Sequence, residues 1–430
     1  MSAEQPVMPA KSSRLALIFI FITMFIDTMG LGIIIPVLPK LIAELTGHRE
    51  MGQAAMSSAA WWGGWLATAY SGMLFLFSPL MGNLSDRFGR RPILITSLLA
   101  LGIDYVITGI APTISWLFVG RILSGMAGAS YTTANAYIAD VTPPEKRAAN
   151  FGLVGAAFGI GFVVGPALGG LIGGFGTRLP FFASAALAVA NAMFGLFVLK
   201  ESLPREKRRK FEPWRANPLG ALFAIRRHPV IFSFVGIFIL MRLAHDANPV
   251  IWTYYVYYKF HWTSRDVGYS LAFLGIVMAC VFGFLTRLVI PKLGEMRSAY
   301  VGLMSGAIGF AGYAFATNGW MMYPWMFVWS LMGLAMPSIN GIISKQVPSN
   351  EQGEVQGALA SVGGVTSIVS PIVLTNIFAY FTQPGAPIVF PGAAFLAGGL
   401  MLALAAFLLT RARHRFPQGT TAATIAEPAS

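Results

Sequence analysis

The 430-residue chain has one cysteine, Cys280, so no disulfide can close within it, and the redox compartment stays open. Charged residues are only 11% of the sequence, less than half the ~25% share usual in a soluble domain. Acids are the scarcer sign, 17 against 30 lysines and arginines. No phosphate-binding glycine loop with its lysine is present, which excludes direct drive by ATP through that motif. The five histidines show no metal-ligand spacing and no pairing with cysteine, so neither a metal nor a cofactor is expected. No nucleophile–base pair is visible either, which argues against an enzyme.

Apolar residues fill the space instead. They make up 56% of the chain, and the mean hydropathy is +0.66. This composition predicts an all-α integral membrane protein, and the length allows about a dozen spans of ~20 residues. We read twelve, at roughly 15–38, 59–81, 92–111, 114–138, 150–174, 180–200, 229–258, 266–289, 298–317, 321–344, 354–380 and 387–410. The net charge of +13 is no sign of nucleic-acid binding, because the basic residues sit at span ends. Alternate loops and the two termini hold 23 of the 30, which predicts both termini on the cytoplasmic side. No small-residue cleavage site follows the first span, so it reads as an uncleaved helix.

The one long basic break, 200–228, divides the spans six and six and reads as a solvated linker beside anionic lipid headgroups. The expected organisation is a cytoplasmic N-terminus (1–14), a six-helix half (15–200), the linker (201–228), a second six-helix half (229–411) and a cytoplasmic tail (412–430). The halves echo one another. Pro143 recurs as Pro348, with Glu145 echoed by Asn350 and Glu351. Phe151 and Gly152 recur as Gln356 and Gly357, Gly165 and Pro166 as Ser370 and Pro371, and Gly89 as Gly294. A constant offset of 205 residues argues for duplication and for a central cavity between two parallel repeats.

Ten residues, 82–91, are the most tightly specified stretch. Gly82 and Gly89 permit a tight reversal. Asp86 and Arg90 stand four apart, on one face of any helical turn. Arg87, Arg90 and Arg91 mark the cytoplasmic side. Topology alone would need only the positive charge. Asp27, Asp104 and Asp246 are the acids inside spans, where each costs ~2.5–3.5 kcal/mol on insertion scales. An acid at that depth usually faces a cavity and binds protons, ions or substrate. Gly30, Gly32 and Pro36 loosen the helix that carries Asp27. The alternative for Asp27 is a structural acid that caps a neighbouring helix. Arg121, buried in the fourth span, needs an acid, and Asp27 and Asp104 are both candidates.

In the seventh span Arg242, His245 and Asp246 share a face at i,i+3 and i,i+4 spacing, and form either a titrating cluster or a self-neutralised scaffold. In the fifth span Gly161, Gly165 and Gly169 form a four-spaced seam for close helix contact, and Pro166 adds a bend. Tyr131, Trp252, Tyr254, Tyr255, Tyr257 and Tyr258 are candidates to line a cavity for a flat amphiphile, though most aromatics in such a chain face lipid.

Together these residues resemble the major facilitator superfamily, and most of all its twelve-span tetracycline/proton antiporters. The residues Gly82, Leu84, Asp86, Arg87, Gly89, Arg90 and Arg91 match the superfamily's loop signature, Arg121 that of the fourth helix, and Gly161 to Gly170 the antiporter signature of the fifth. The likeness to the tetracycline group covers nearly the whole chain. It is strongest at Asp27 to Gly32, Ser85 to Pro92, Leu101 to Tyr105 and Ile138 to Asp140. The resemblance implies that Asp86, Arg90 and Asp140 form a cytoplasmic network stabilising an outward-facing state, and that Asp27 and Asp104 are functional acids. Where the group's best-known members have a histidine and an acid in the eighth and ninth spans, this chain has Met278 and Gly306, and the charge moves to Arg242, His245 and Asp246.

The expected protein is a monomeric, multi-pass antiporter of a bacterial inner membrane. It exports a small amphiphile, a tetracycline-like drug, takes in protons, and is driven by the proton gradient without a cofactor. Its partners are substrate, protons and the lipid bilayer, with no nucleic acid. The rival readings are a metabolite carrier, for a sugar for instance, and a non-transporting membrane sensor.

Overall fold

Proline and glycine set where the apolar runs stop. The first helix, α1 (Ala10–Ile34), ends two residues before Pro36, and a short helix, Leu38–Leu45, follows the turn. The predicted span ran on to 38; it stops early because Pro36 has no N–H for the Gly32 carbonyl, which accepts from Ile35 N–H at 3.3 Å instead. α2 (Gln53–Phe88) has 36 residues, well beyond the ~20 that cross a bilayer. α3 (Arg90–Ile110) begins one residue later, so the expected ten-residue loop shrinks to Gly89 alone. Gly89 has φ +109°, a backbone state open to glycine at little cost, and this turns the chain.

The computed structural model describes residues 10–48, 52–128, 130–143, 146–212, 229–348 and 351–415. The expectations placed on 1–9, Glu145, 213–228, Asn350 and 416–430, and on the side chain of Tyr131, lie outside the described residues. Next come α4, in two described pieces (Ile114–Ala127 and Ser130–Val141), α5 (Arg147–Gly173) and α6 (Leu179–Val198). α7 is broken into Pro229–His245 and Ala247–Phe260. α8 runs Ser264–Cys280, continues as a π-helical turn, Val281–Leu285, and closes with Thr286–Leu293. α9 is Glu295–Phe315. α10 joins Met322–Ser330 to Ala335–Lys345 through a 3₁₀ segment, Leu331–Leu334. α11 (Gln352–Thr382) and α12 (Ala393–Arg415) complete the chain. Among the described residues nine helices are long and apolar enough to cross a membrane; α2, α4 and α9 are the remaining three of the twelve.

The chain forms two units. One contains residues 1–47, 69–217 and 263–272, and the other 48–68, 218–262 and 273–430. Each follows the same packing plan. In the first, α1 packs on α5 and α6, and α3 packs on α4 and α6. In the second, α7 packs on α11 and α12, and α9 packs on α10 and α12. These four pairings recur with the helix number raised by six, as the 205-residue offset predicts. The turns agree as well, since Gly89 and Gly294 both precede a helix with positive φ, +109° and +77°, and the same ψ of 159°.

Candidate functional site

In the first unit the fifth-helix glycines press α5 onto the segment of α1 that carries Asp27. A Cβ on Gly161 would stand 2.8 Å from the Phe25 carbonyl oxygen, and one on Gly165 2.6 Å from that of Met29. One on Gly169 would overlap the Ile33 carbonyl. The seam therefore brackets Asp27 on both sides along the helix. Pro166 sits inside α5 without breaking it and lies against Gly32, where a Cβ would be 2.7 Å from its Cδ. Backbones this close need glycine on the seam.

Of the two acids open to Arg121, Asp104 takes the guanidinium. Arg121 Nη2 donates to Asp104 Oδ2 at 2.5 Å, and the Thr108 hydroxyl donates to Oδ1 of the same carboxylate at 3.3 Å. Asp104 is fully buried. Gly120, one residue before Arg121, makes room for it, because a Cβ there would overlap Asp104 Oδ1. Asp27, Asp104 and Arg121 are close enough for their charges to act on both Tyr70 and Tyr105. Tyr105 also lies over Gly30, one turn after Asp27; a Cβ on Gly30 would be 3.5 Å from its hydroxyl. The charges of Asp27 and of the Arg121–Asp104 pair thus act on the same two phenols. Sequence reasoning missed these tyrosines, although Tyr105 directly follows Asp104.

The second charge set is built around Arg90. It bridges Asp86, one turn back, at 2.5 Å and Asp140, at the end of α4, at 3.2 Å. The Ser85 hydroxyl also accepts from it, at 2.5 Å. The central residue that sequence reasoning passed over is Glu201. Its carboxylate accepts the backbone N–H of Arg90 at 2.8 Å, of Arg91 at 3.3 Å and of Leu203 at 3.0 Å. It caps the start of α3, where N–H groups lack helical partners and the dipole favours an anion.

The stretch 200–212, expected as a solvated linker, is exposed for the most part and is also tied to this network. Ser202 donates to Asp140 at 3.0 Å, Arg209 N–H to the Asp86 carbonyl at 3.2 Å, and Asn83 to the Glu212 carbonyl at 2.7 Å. Arg91 extends to the Leu196 carbonyl at 2.6 Å. Arg87 stacks on the Phe88 ring at 5.1 Å. Gly82 is less constrained than its place in the motif suggests, since a Cβ there would touch only Thr132, at 3.9 Å.

In the second unit the seventh helix breaks at Asp246. Pro249 has no N–H for the His245 carbonyl, and the helix restarts with Val250 N–H on Asp246 O at 3.1 Å. Among the described residues Arg242 does not pair with Asp246 as the i,i+4 spacing allowed, whereas His245 and Asp246 stand within ion-pair distance. Asp246 accepts from Ser370 of α11 at 2.5 Å and lies 3.7 Å from His245 Nδ1. Arg242 reaches Ser367 of α11 at 3.5 Å.

Arg242 and His245 line a cavity of about 440 Å³ together with Met278, Trp329 and Met332. His245 therefore shares one wall with Met278, the position where the resemblance expects a histidine. Gly306 is packed shut instead, with a Cβ there 2.8 Å from Leu402 and 3.2 Å from Met332. Five of the aromatics proposed for a cavity are core residues. Trp252, Tyr254, Tyr255, Tyr257 and Tyr258 are all buried, and Trp252 packs edge-on against Tyr313 and Phe395. Among the described residues no group of His, Cys, Asp and Glu could hold a metal ion.

Comparison with known proteins identifies the family. The family model of the Major Facilitator Superfamily matches residues 20–371. The class C tetracycline resistance protein of Escherichia coli is 38% identical over 368 residues, 85% of this chain and 90% of that protein. The class G protein of Vibrio anguillarum is 35% identical over 366 residues, 82% and 88% of the two chains. Among solved structures, a bacterial homologue of the human lysosomal transporter Spinster superposes with a TM-score of 0.75. It is 16% identical and covers 95% of this chain and 98% of its own.

Proposed function

The chain belongs to the major facilitator superfamily of membrane transporters, and from that membership we propose that it exports a small amphiphile of the tetracycline class in exchange for protons. The observation that carries this reading is the placement of Asp27. It is a half-buried acid inside a membrane-spanning helix, on a segment clamped by the α5 seam, and its charge acts on the same phenols as the Arg121–Asp104 pair. An acid so placed takes up a proton when the site opens to one side of the membrane and gives it up on the other.

In this cycle Arg121 is a positioning charge. Held on Asp104, it fixes the field around Tyr70, Tyr105 and Asp27. The Asp86–Arg90–Asp140 network, with Glu201 behind it, latches one end of the transporter on the cytoplasmic side of a bacterial inner membrane. The tetracycline class is supported by the names of the relatives and by the coverage of their whole length.

The test is proton release from purified, unbuffered protein on addition of tetracycline and of a panel of unrelated cationic and neutral drugs. Release that vanishes in Asp27→Asn, with the variant still folded, is expected. Release with another compound alone would keep the exchange and replace the substrate. Undiminished exchange in Asp27→Asn would overturn the role of Asp27, and silence across the panel would favour a metabolite carrier.

A further inference from the structure

Three helix ends of the second unit line one groove, which shares no residue with the charge sets described above. Two membrane-crossing stretches, Ser264–Leu293 and Ala393–Arg411, finish there, and α9 starts there at Glu295. The groove has a volume of about 420 Å³ and is lined from the first two turns of α9 and the last turns of α12. Leu293, Met296, Val301 and Leu409 give it an apolar wall, and Arg297, Tyr300 and Thr410 are its polar residues. Leu293, Tyr300 and Val301 are exposed, and exposed side chains at a span end meet the interfacial layer of the bilayer.

The order of side chains with depth is that of a phospholipid. Arg297 and Tyr300 stand three apart on one face of α9. At a rise of ~1.5 Å per residue, Tyr300 lies about 4.5 Å and Val301 about 6 Å deeper than Arg297. A guanidinium, a phenol and then apolar side chains follow the sequence of phosphate, ester and acyl chain. The charge is one-sided as well. Among the described residues no carboxylate lines the groove. Glu295, close by in sequence, is turned to α10: it meets Lys345 at 2.9 Å, and a Cβ on Gly341 would be 2.6 Å from its Oε1. Arg297 therefore has no acid partner among the described residues. Lys292 and Arg411, each next in sequence to a lining residue, are exposed, and Arg411 lies over the Phe407 ring at 4.7 Å. The Thr410 hydroxyl is spent on the Phe407 carbonyl at 2.7 Å, which leaves Arg297 and Tyr300 to hold a ligand. The planar fork of arginine matches two phosphate oxygens.

We propose that this groove binds one anionic two-chain phospholipid, with its phosphate on Arg297 and Tyr300 and an acyl chain along Val301 and Leu409. The preference for an anionic lipid follows from the charge. A zwitterionic headgroup brings a cation of its own to a site that has cations around it and no carboxylate to receive another. The proposal concerns the lipid alone and stands whatever compound crosses the membrane.

The experiment is photocrosslinking of the full-length protein in phosphatidylcholine nanodiscs that contain a trace of phosphatidylglycerol with a diazirine in one acyl chain, followed by peptide mapping. Label is expected on 293–301 and 404–410. Unlabelled phosphatidylglycerol should displace it at a mole fraction at least about tenfold lower than phosphatidylethanolamine does. Arg297→Gln should abolish that difference, while Arg297→Lys keeps most of it. Val301→Trp, which fills the groove without touching a charge, should remove the label from both stretches. This variant keeps the proposal testable if Arg297→Gln fails to fold, as judged by size exclusion and thermal unfolding.

Equal displacement by the two lipids would mean an ordinary boundary lipid and overturn the proposal. So would a preference unchanged in folded Arg297→Gln, or label unchanged in folded Val301→Trp. Displacement by water-soluble glycerol phosphate would mark a site for a free phosphate ester and overturn the lipid assignment. Absence of label from both stretches would overturn it too, and a crosslinked dimer in its place would give the groove to a second copy of the chain.

Discussion

Glu295 and Lys345 meet at 2.9 Å, and each stands 205 residues after a member of the Arg90–Asp140 pair with its sign exchanged. Arg90 and Glu295 are both the first residue of a helix that follows a positive-φ glycine. Asp140 and Lys345 both lie at the far end of the next helix. The duplicated fold has kept a bridge between the third and fourth helices of each unit and inverted its polarity. What differs is the neighbour, because Pro291 stands where the first unit has Asp86.

That difference makes the polarity testable. Arg90→Glu combined with Asp140→Lys copies the second unit's bridge into the first. The new carboxylate would face Asp86 one turn away, so the double variant should remain impaired, with transport down by about tenfold. Adding Asp86→Asn removes the repulsion and should restore transport to within about threefold of wild type. Flux in proteoliposomes decides. Full recovery in the double variant alone would show that Asp86 has no electrostatic part in the network.

Glu201 should matter as a helix cap. Glu201→Ala leaves the N–H groups of Arg90 and Arg91 without their acceptor and should cost about 1 kcal/mol. Glu201→Gln, which keeps an oxygen and loses the charge, should fall between wild type and Ala. Denaturant unfolding followed by tryptophan fluorescence measures both. Equal stability of all three proteins would show that solvent replaces the cap at no cost.

The span count, the repeat and both glycine signatures were legible because they rest on local properties: apolar run length, constant offset and four-residue spacing. The two breaks caused by proline were written in the sequence as well. Pro249 denies an N–H to the His245 carbonyl, and Pro337 does the same to that of Gly333 in the 3₁₀ segment. The π-helical turn at Val281–Leu285 contains no proline, and nothing in its residues marks it apart from Gly283. Glu201 was hidden for another reason. Within a basic run it reads as one acid among many cations, and the N–H groups it caps lie 111 and 110 residues earlier in the chain. The partner of Arg121 was narrowed to two acids by burial energetics, but the choice of Asp104 depends on how α3 and α4 pack, which periodicity cannot supply.

The α5 seam predicts a contrast between glycines of one helix. Gly155 and Gly159 have nothing within 4 Å of an added Cβ, whereas Gly165 is hemmed in by the backbone of Met29 and Gly32. Gly159→Ala should be neutral or stabilise by up to about 1 kcal/mol, since alanine favours the helix. Gly165→Leu should force α5 away from α1 and cost at least about 1–3 kcal/mol through overpacking. Folded yield and unfolding midpoints compare them. Tolerance at Gly165 equal to that at Gly159 would mean that the contact around Asp27 is not tightly held.

The Arg121–Asp104 pair supports the last prediction, because its energetics are asymmetric. Removing one partner leaves the other as an uncompensated charge, at a cost of about 3–5 kcal/mol, while removing both leaves a site with no charge to solvate. Asp104→Asn and Arg121→Gln should therefore each reduce the folded yield severely, because the partner left behind is buried in either case, Arg121 at 14% exposure and Asp104 at 0%. The double variant should recover most of the folded protein. It should not recover drug-linked proton release, since the fixed positive charge that shares Tyr70 and Tyr105 with Asp27 is gone. Size-exclusion profiles and proton release on the same samples read the two effects apart. A double variant that folds and still exchanges protons would reduce the pair to scaffolding and leave Asp27 to act without it.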